Sequence, residues 1–241
     1  MILAKSCHDM DIIQWLLDKK CKKVHSFGSL AYFRKENKPE GAKDRCINGC
    51  PHTDTCPYNA VKLYYDDKKN LWFRGVATDI FNPDDEVVEK ALREGPYGRC
   101  VFDCDNDVVD HQVVNLEFEG GCTVSFTMNA FNKGGRTLHV FGTKGELTGD
   151  MRTGMLKLYT FATRETVEID SKATGVTIVS GHGGGDSGLI RDLIEYLKNN
   201  NRSKSICDVR TSYENHIICF AAEESRRNST VVNFDEFEAN I

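Results

Sequence analysis

Hydrophobic residues recur along the first seventeen positions with the spacing of an amphipathic helix. The apolar residues on one broad arc of its helical wheel, which indicates a core-facing side, are Met10, Ile12, Ile13, Leu16 and Leu17. His8, Asp11 and Trp15 lie together at the margin of this arc, because residues three and four apart are neighbours on a helix. We therefore predict a helix over residues 5–17. Its histidine either bonds its own backbone or faces a cleft, where a side chain titrating near neutral pH can shuttle protons.

The middle of the chain alternates between apolar and polar residues, the period expected of β-strands. The clearest case is 110–131, where two alternating runs flank Gly120-Gly121 and predict a hairpin with a two-residue turn. Further strands are predicted over 23–33, 137–141, 146–148, 155–161, 166–169, 176–179 and 231–234, and helices over 83–92, 189–197 and 213–224.

Strands that follow one another and then give way to helices predict an α+β fold. We expect a large, mainly antiparallel open sheet with helices packed on one face. The polar residues of the predicted hairpin would lie on the other face, which is then available for oligomerisation. These polar residues are Asn115, Glu117, Thr123, Ser125 and Thr127.

The composition changes this picture little: 241 residues, 40% hydrophobic and 28% charged, with a net charge of −5. The negative charge argues against a nucleic-acid partner, since the densest basic run, 19–23, follows a helix end where cations are favoured. No run approaches the roughly 20 apolar residues of a membrane helix, so we expect no membrane partner. Residues 1–4 are too short for a signal segment, so we expect a cytoplasmic protein.

Residues 34–58 show little periodicity and form a predicted long loop rich in cysteine. The spacing of Cys46, Cys50, His52 and Cys56 suits a structural zinc ion or an iron–sulfur cluster. Cys100 or Cys104 could supply a further ligand if the fold brings it near. The alternative is a set of small buried thiols or one disulfide.

A glycine-rich stretch, 181–188, lies between a predicted strand and a predicted helix. Gly183, Gly185 and Gly188 match the dinucleotide-binding fingerprint, but a Rossmann domain needs repeated β-α-β units, which the alternating strands do not predict. We favour a flexible loop that lets His182 or Asp186 approach a ligand. A purely structural loop, with Asp186 capping the helix, is the alternative.

Five segments, which follow one another in the expected order, resemble the C-terminal domain of the glucose–fructose oxidoreductase/inositol dehydrogenase (Gfo/Idh/MocA) family. They are 5–16, 105–114, 136–146, 182–186 and 221–226. The resemblance implies an NAD- or NADP-dependent oxidoreductase acting on a sugar, cyclitol or related polyol. It also implies that 1–241 is a single substrate and oligomerisation domain, carrying 34–58 as a cysteine-containing insertion, and that the sheet forms a homo-oligomer.

The resemblance implies roles for individual side chains. His8 matches the family's catalytic histidine and would act as general acid and base, and Asp11 would orient it. Lys5 is not part of the family pattern, and we expect it to act as a cation near the substrate oxygen in place of the carboxylate that the family has at position 4. His182, Asp186 and Asp107 are the expected substrate contacts.

Two departures from the family limit what the chain is expected to do alone. It shows no counterpart of the N-terminal Rossmann domain, and Ala4 stands where the family has a carboxylate. We therefore expect an isolated chain that is inactive and binds NADH and NADPH no better than about millimolar. The alternatives are a non-catalytic oligomerisation module and a metal-binding module organised by the cysteine loop.

Overall fold

The computed structural model describes residues 1–174, 185–199 and 208–241. They form two compact units, one of Met1–Ala130 with Asn215–Ile241 and one of Phe131–Glu214. The α-helices are α1 (Cys7–Leu17), α2 (Leu71–Thr78), α3 (Asp85–Glu94), α4 (Gly185–Lys198), α5 (Val209–Asn228) and α6 (Phe234–Ala239). The strands are β1 (Cys21–Ser29), β2 (His111–Phe118), β3 (Cys122–Asn129), β4 (Thr137–Phe141), β5 (Gly145–Asp150), β6 (Met155–Thr160), β7 (Glu165–Asp170) and β8 (Val232–Asn233).

The first unit is built on an antiparallel sheet with the strand order β3-β2-β1-β8. The inward side chains of β1 and β2, such as Val24 and Val114, share one buried cluster with Met10 of α1, Ile218 of α5 and Phe234 of α6. The other face of β2 and β3 is more exposed and carries the predicted polar row. The predicted α+β architecture, with helices on one sheet face, is confirmed. The described strands form two four-stranded sheets where one large sheet was expected.

The predicted hairpin is present as β2 and β3, but its turn is one residue longer than expected. Phe118 pairs with Cys122, which leaves Glu119, Gly120 and Gly121 in the turn. Gly120 and Gly121 have φ of 74° and 76°, a left-handed conformation that glycine adopts without strain. The amide of Glu119 donates to the carbonyl of Lys20, 3.0 Å away, and so leaves the hairpin ladder.

Strand β1 ends at Ser29, four residues before its predicted end, because a buried carboxylate holds the next residues. Oδ2 of Asp110 accepts hydrogen bonds from the amides of Ala31 (3.0 Å), Tyr32 (2.6 Å) and Phe33 (3.3 Å). Three amides that converge on one oxygen cannot take part in a strand ladder. The chain therefore turns away from the sheet.

The cysteine loop is held by the end of α3. Nη1 of Arg45 donates to the carbonyls of Leu92 (2.9 Å) and Gly95 (2.8 Å), and Nη2 donates to that of Glu94 (3.2 Å). These carbonyls lie at a helix C-terminus, where they lack helical partners and favour a cation. An isolated antiparallel bridge between Arg45 and Arg99 ties the loop to the chain that follows α3.

The second unit contains the meander β4-β5-β6-β7, in which every neighbouring pair is antiparallel. Val140, Leu147, Leu158 and Val167 lie opposite one another across the four strands and give one face an apolar row. Val167 is 52% exposed, so this row is partly open to solvent. The predicted strand 176–179 lies outside the described residues. No helix within the described ranges is both long and apolar enough to cross a membrane.

Candidate functional site

Helix α1 has a buried side and an exposed side, and His8 lies on the exposed one. Met10 and Gln14 face the core, whereas His8, Ile12 and Trp15 are exposed, Ile12 at 45% and Trp15 at 65%. The expected core arc included Ile12 and Leu16, and the structure corrects this: both are exposed. Only the narrower stripe that contains Met10 and Gln14 is buried. An imidazole therefore lies on an uncovered apolar face.

Asp11, the expected partner of His8, is tied to helix α5. Nδ2 of Asn215 donates to Oδ1 of Asp11 at 2.6 Å, and Asn215 itself is buried. This bond orients the carboxylate one helical turn beyond His8. The role of Asp11 toward the imidazole stays a prediction.

Asn215 was not predicted as a site residue, although the sequence contains a signal for it. It occupies the helix face that also carries Ile218, Cys219 and Ala222, all of which are buried. A polar side chain on an apolar helix face needs a hydrogen-bonding partner. The Oδ1 atom of Asn215 has no hydrogen-bonding partner among the described residues. It can therefore accept a hydrogen bond from a further donor.

The other predicted catalytic and substrate residues lie on separate elements. Lys5 is exposed in a short π-helical segment, Ile2–Ser6, three residues before His8. Asp107 is exposed in the segment before β2, and Asp186 lies in the first turn of α4 in the second unit. His182 lies outside the described residues. The substrate contacts stay predictions.

Asp110, in the segment that carried the family resemblance, is a strongly perturbed carboxylate three residues beyond Asp107. Burial alone would raise its pKa, but the three amide donors and the ring of His111, 2.8 Å from Oδ1, outweigh burial and lower the pKa to about 2. The carboxylate is thus ionised under all ordinary conditions. It organises the backbone after β1 and has no free proton to exchange.

None of the nine cysteines that the structure describes forms a disulfide, and those of the cysteine loop are therefore thiols. Cys46, Cys50 and Cys56 are half-buried, and Nε2 of His52 lies 2.7 Å from the carbonyl oxygen of Glu40. Within the described part of the chain, no group of three or more histidine, cysteine or acidic side chains is arranged to hold a metal ion. The predicted metal site stays a prediction.

A nicotinamide dinucleotide does not fit the described residues. Dinucleotides bind at the switch point of a parallel sheet, where a glycine-rich turn enters a helix. All six pairings between named strands are antiparallel. The described ranges therefore contain no β-α-β unit built from these strands, and the cofactor would have to be held elsewhere.

Comparison with known proteins gives a consistent picture. The model of a family described as "Oxidoreductase family, C-terminal alpha/beta domain" matches residues 1–234. The Bacillus subtilis protein YteT, which is named as an oxidoreductase, is 26% identical over 205 residues, or 78% of this chain and 45% of that protein.

Two solved structures share the fold at low sequence identity. An oxidoreductase from Agrobacterium radiobacter, in complex with NAD⁺, L-tartaric acid and magnesium, has a TM-score of 0.55 and 11% identity, covering 98% of this chain and 49% of its own. A levoglucosan dehydrogenase, in complex with NADH and levoglucosan, has a TM-score of 0.54 and 13% identity, covering 95% and 48%. The chain thus spans about half the length of the relatives it matches.

Proposed function

The chain belongs to this oxidoreductase family as its C-terminal α/β domain, and on that premise we propose that it is the substrate-binding and catalytic domain of an NAD(P)-dependent oxidoreductase. Its substrate would be a sugar, a cyclitol or a related polyol. The levoglucosan and tartrate of the two solved relatives both carry hydroxyl groups on carbon and are the first classes to assay.

The observation that carries the proposal is the position of His8. Oxidation of an alcohol removes the hydroxyl proton as well as a hydride, and a histidine held in a cleft can accept that proton and return it in reverse. His8 is exposed on a helix whose next turns present Ile12 and Trp15. The nicotinamide supplies the hydride chemistry when it is bound.

The same surface provides a place where a cofactor-binding domain would complete the active site. Large apolar side chains that are exposed together commonly mark an interaction surface. If a cofactor-binding domain covers Ile12 and Trp15, His8 becomes enclosed between the two domains, where water is excluded. The proposed cofactor and this proposed acid–base residue would then meet at the exposed face of α1.

One observation favours a second candidate, a module that keeps the fold without catalysis. Ala4, in the exposed turn before His8, cannot supply the carboxylate that the family pattern has there. Lys5 would have to take part in its place, as a cation near the substrate oxygen. A domain without a working proton relay could still assemble through its sheets.

Substitution of His8 separates the two candidates. In a polypeptide that joins this domain to its cofactor-binding domain, His8→Ala should lower kcat by about two to four orders of magnitude, because a positioned acid–base group contributes that much. Steady-state turnover of a panel of sugars and polyols measures it. The matched control is His25→Ala, a histidine on strand β1. Unchanged turnover in His8→Ala would remove His8 from the mechanism and favour the non-catalytic module.

A further inference from the structure

The sheet of the second unit has a polar face opposite the apolar row that contains Val140 and Val167. Side chains along a strand alternate between the two faces, and residues directly opposite each other on antiparallel neighbours share a face. The strand pairings therefore align two rows of side chains across β4, β5, β6 and β7. One row is Phe141, Glu146, Tyr159 and Thr166, and the other is His139, Thr148, Lys157 and Glu168. We call these two rows the polar face of β4–β7.

The middle of this face is a shallow depression of about 320 Å³. The side chains that line it carry hydroxyl, carboxylate and ammonium groups. They are Glu146, Thr148, Lys157, Tyr159 and Thr166. A carboxylate only accepts hydrogen bonds, an ammonium only donates them, and a hydroxyl does both. Since a ligand hydroxyl also donates and accepts, this mixture is suited to a ligand with several hydroxyl groups.

An aromatic surface borders the depression on β4. Phe141 lies directly opposite Glu146 and is 76% exposed. The ring of His139 lies beside that of Phe141, with the ring centroids 3.9 Å apart and the planes inclined by 37°. The flat side of an aromatic ring packs well against the C–H groups on one face of a pyranose ring. An exposed aromatic ring next to hydroxyl-binding groups is therefore typical of a sugar site.

The charges on this face favour a neutral ligand. Lys157 forms an ion pair with Glu168 at 2.7 Å, and Nε2 of His139 lies 3.5 Å from Oε2 of Glu146. The face thus carries two carboxylates against one ammonium and no excess of positive charge. Nucleic acids and phosphorylated ligands are bound through excess cations. Acidic saccharides would be repelled by the two carboxylates.

We propose that the polar face of β4–β7 binds a neutral oligosaccharide. One sugar ring packs against Phe141 and His139, and the next lies in the depression. There Glu146 accepts hydrogen bonds from neighbouring sugar hydroxyls, and Tyr159 donates to a sugar oxygen. The four strands span roughly 14 Å, which is enough for a short oligosaccharide. The site uses none of the residues assigned to proton transfer, so it is independent of the proposed role of His8.

Isothermal titration calorimetry of the full chain tests the proposal. The neutral probes are maltotetraose, cellotetraose, mannotetraose and xylotetraose, and the acidic probe is tetragalacturonic acid. At least one neutral probe should bind with a Kd of about 1 mM or lower, and the acidic probe should bind at least about tenfold more weakly. The proposal is wrong if no neutral probe binds at about 10 mM, or if the acidic probe binds more tightly.

Threonine methyl resonances locate the bound sugar on the unaltered chain, which avoids variants that do not fold. The neutral probe that binds should shift the resonances of Thr148 and Thr166, assigned with Thr148→Ser and Thr166→Ser. The resonances of Thr123 and Thr127, on strand β3 of the first unit, should stay unchanged. Binding that leaves Thr148 and Thr166 unshifted would place the sugar elsewhere and overturn the site.

Variants test the two main contacts. Phe141→Ala and Glu146→Gln should each weaken binding at least about tenfold, because one removes the aromatic surface and the other the charged acceptor. Phe81→Ala removes a phenylalanine of the first unit that is 92% exposed and is the matched control. It should bind the sugar as the unaltered chain does, and so should His8→Ala. Unaltered affinity in either Phe141→Ala or Glu146→Gln, or lost affinity in Phe81→Ala, would contradict the assignment.

A second copy of the chain is the other occupant that this face could take. Light scattering of Phe141→Glu distinguishes it from a sugar, because a charge at an interface between copies would lower the mass of the particle. The mass should equal that of the unaltered chain. A lower mass, together with no binding of the neutral probes, would identify the face as an interface and overturn the proposal.

Discussion

At the scale of single residues, Asp110 links an unusual pKa to backbone structure. Its folded-state pKa of about 2 lies below the ordinary 3.8, so its ionised form stabilises the fold. That contribution is complete above pH 4 and is lost as the pH falls toward 2. A shift of this size corresponds to roughly 2 kcal/mol.

Asp110→Asn should therefore lower the free energy of unfolding by about 2 kcal/mol at pH 7, because a neutral amide cannot hold three backbone donors as strongly. The difference from the unaltered chain should shrink as the pH is lowered from 4 to 2. Urea unfolding across this range measures both effects. Asp107→Asn, an exposed aspartate in the same segment, is the control. Equal stability of Asp110→Asn at pH 7 would contradict the assigned role.

The candidate site shows what the sequence can predict about single residues. The exposed position of His8 beside an apolar arc could be predicted from helix periodicity, whereas its catalytic role rests on the family resemblance and stays a prediction. The bond between Asn215 and Asp11 could not be predicted, since it joins helices more than two hundred positions apart. Which part of a broad apolar arc is buried also depends on the surface that packs against the helix. Ile12 and Leu16 were wrongly predicted to be buried for that reason.

At the scale of elements, Arg45 joins two segments that have little core between them. Its guanidinium satisfies three carbonyls at the end of α3, and hydrogen bonds to charged groups contribute about 1.5–3 kcal/mol. It also fixes the residue that precedes Cys46. We therefore expect the cysteine loop and the end of helix α3 to unfold together.

Arg45→Ala should destabilise this region by about 2 kcal/mol and should speed hydrogen exchange at residues 92–100 and 44–50. Hydrogen exchange measured by mass spectrometry follows both segments. Arg93→Ala, which removes only an exposed ion pair with Glu89, should change stability by less than about 0.5 kcal/mol. Unaltered exchange in Arg45→Ala would show that the three carbonyl bonds are not stabilising.

The elements with regular periodicity were predicted well, and those with irregular burial were not. The hairpin and α3 follow their apolar patterns closely. Helix α2 was not predicted, because it buries Arg74 and leaves Trp72 exposed. The Arg74 guanidinium bonds the carbonyls of Tyr65 and Pro83 and the carboxylate of Asp85. A hydrophobic pattern contains no information about such a polar anchor.

At the scale of the whole molecule, the sheet of the second unit has an apolar row that is only partly covered. Exposed sheet faces of this kind favour association between copies. We expect the chain to form a homo-oligomer through this sheet, whereas the sequence pattern placed the interface on the polar face of the β2–β3 hairpin.

Val167→Glu should weaken self-association at least tenfold, because it would bury an unpaired charge in the interface. Light scattering coupled to size-exclusion chromatography, over a range of concentrations, measures the change. Thr166→Glu places the same charge on the opposite face of β7 and is the control. A monomeric unaltered chain at all concentrations would refute association, and an unchanged mass in Val167→Glu would move the interface elsewhere.

Trp15 has a practical consequence, since the chain contains only two tryptophans. Its indole is largely in water and lies about two helical turns from His8 on the same face of α1. With the second tryptophan replaced by phenylalanine, the chain carries a single intrinsic fluorophore at its proposed catalytic surface. The wavelength of its emission maximum then reports whether that surface is exposed to water or covered, without any attached dye.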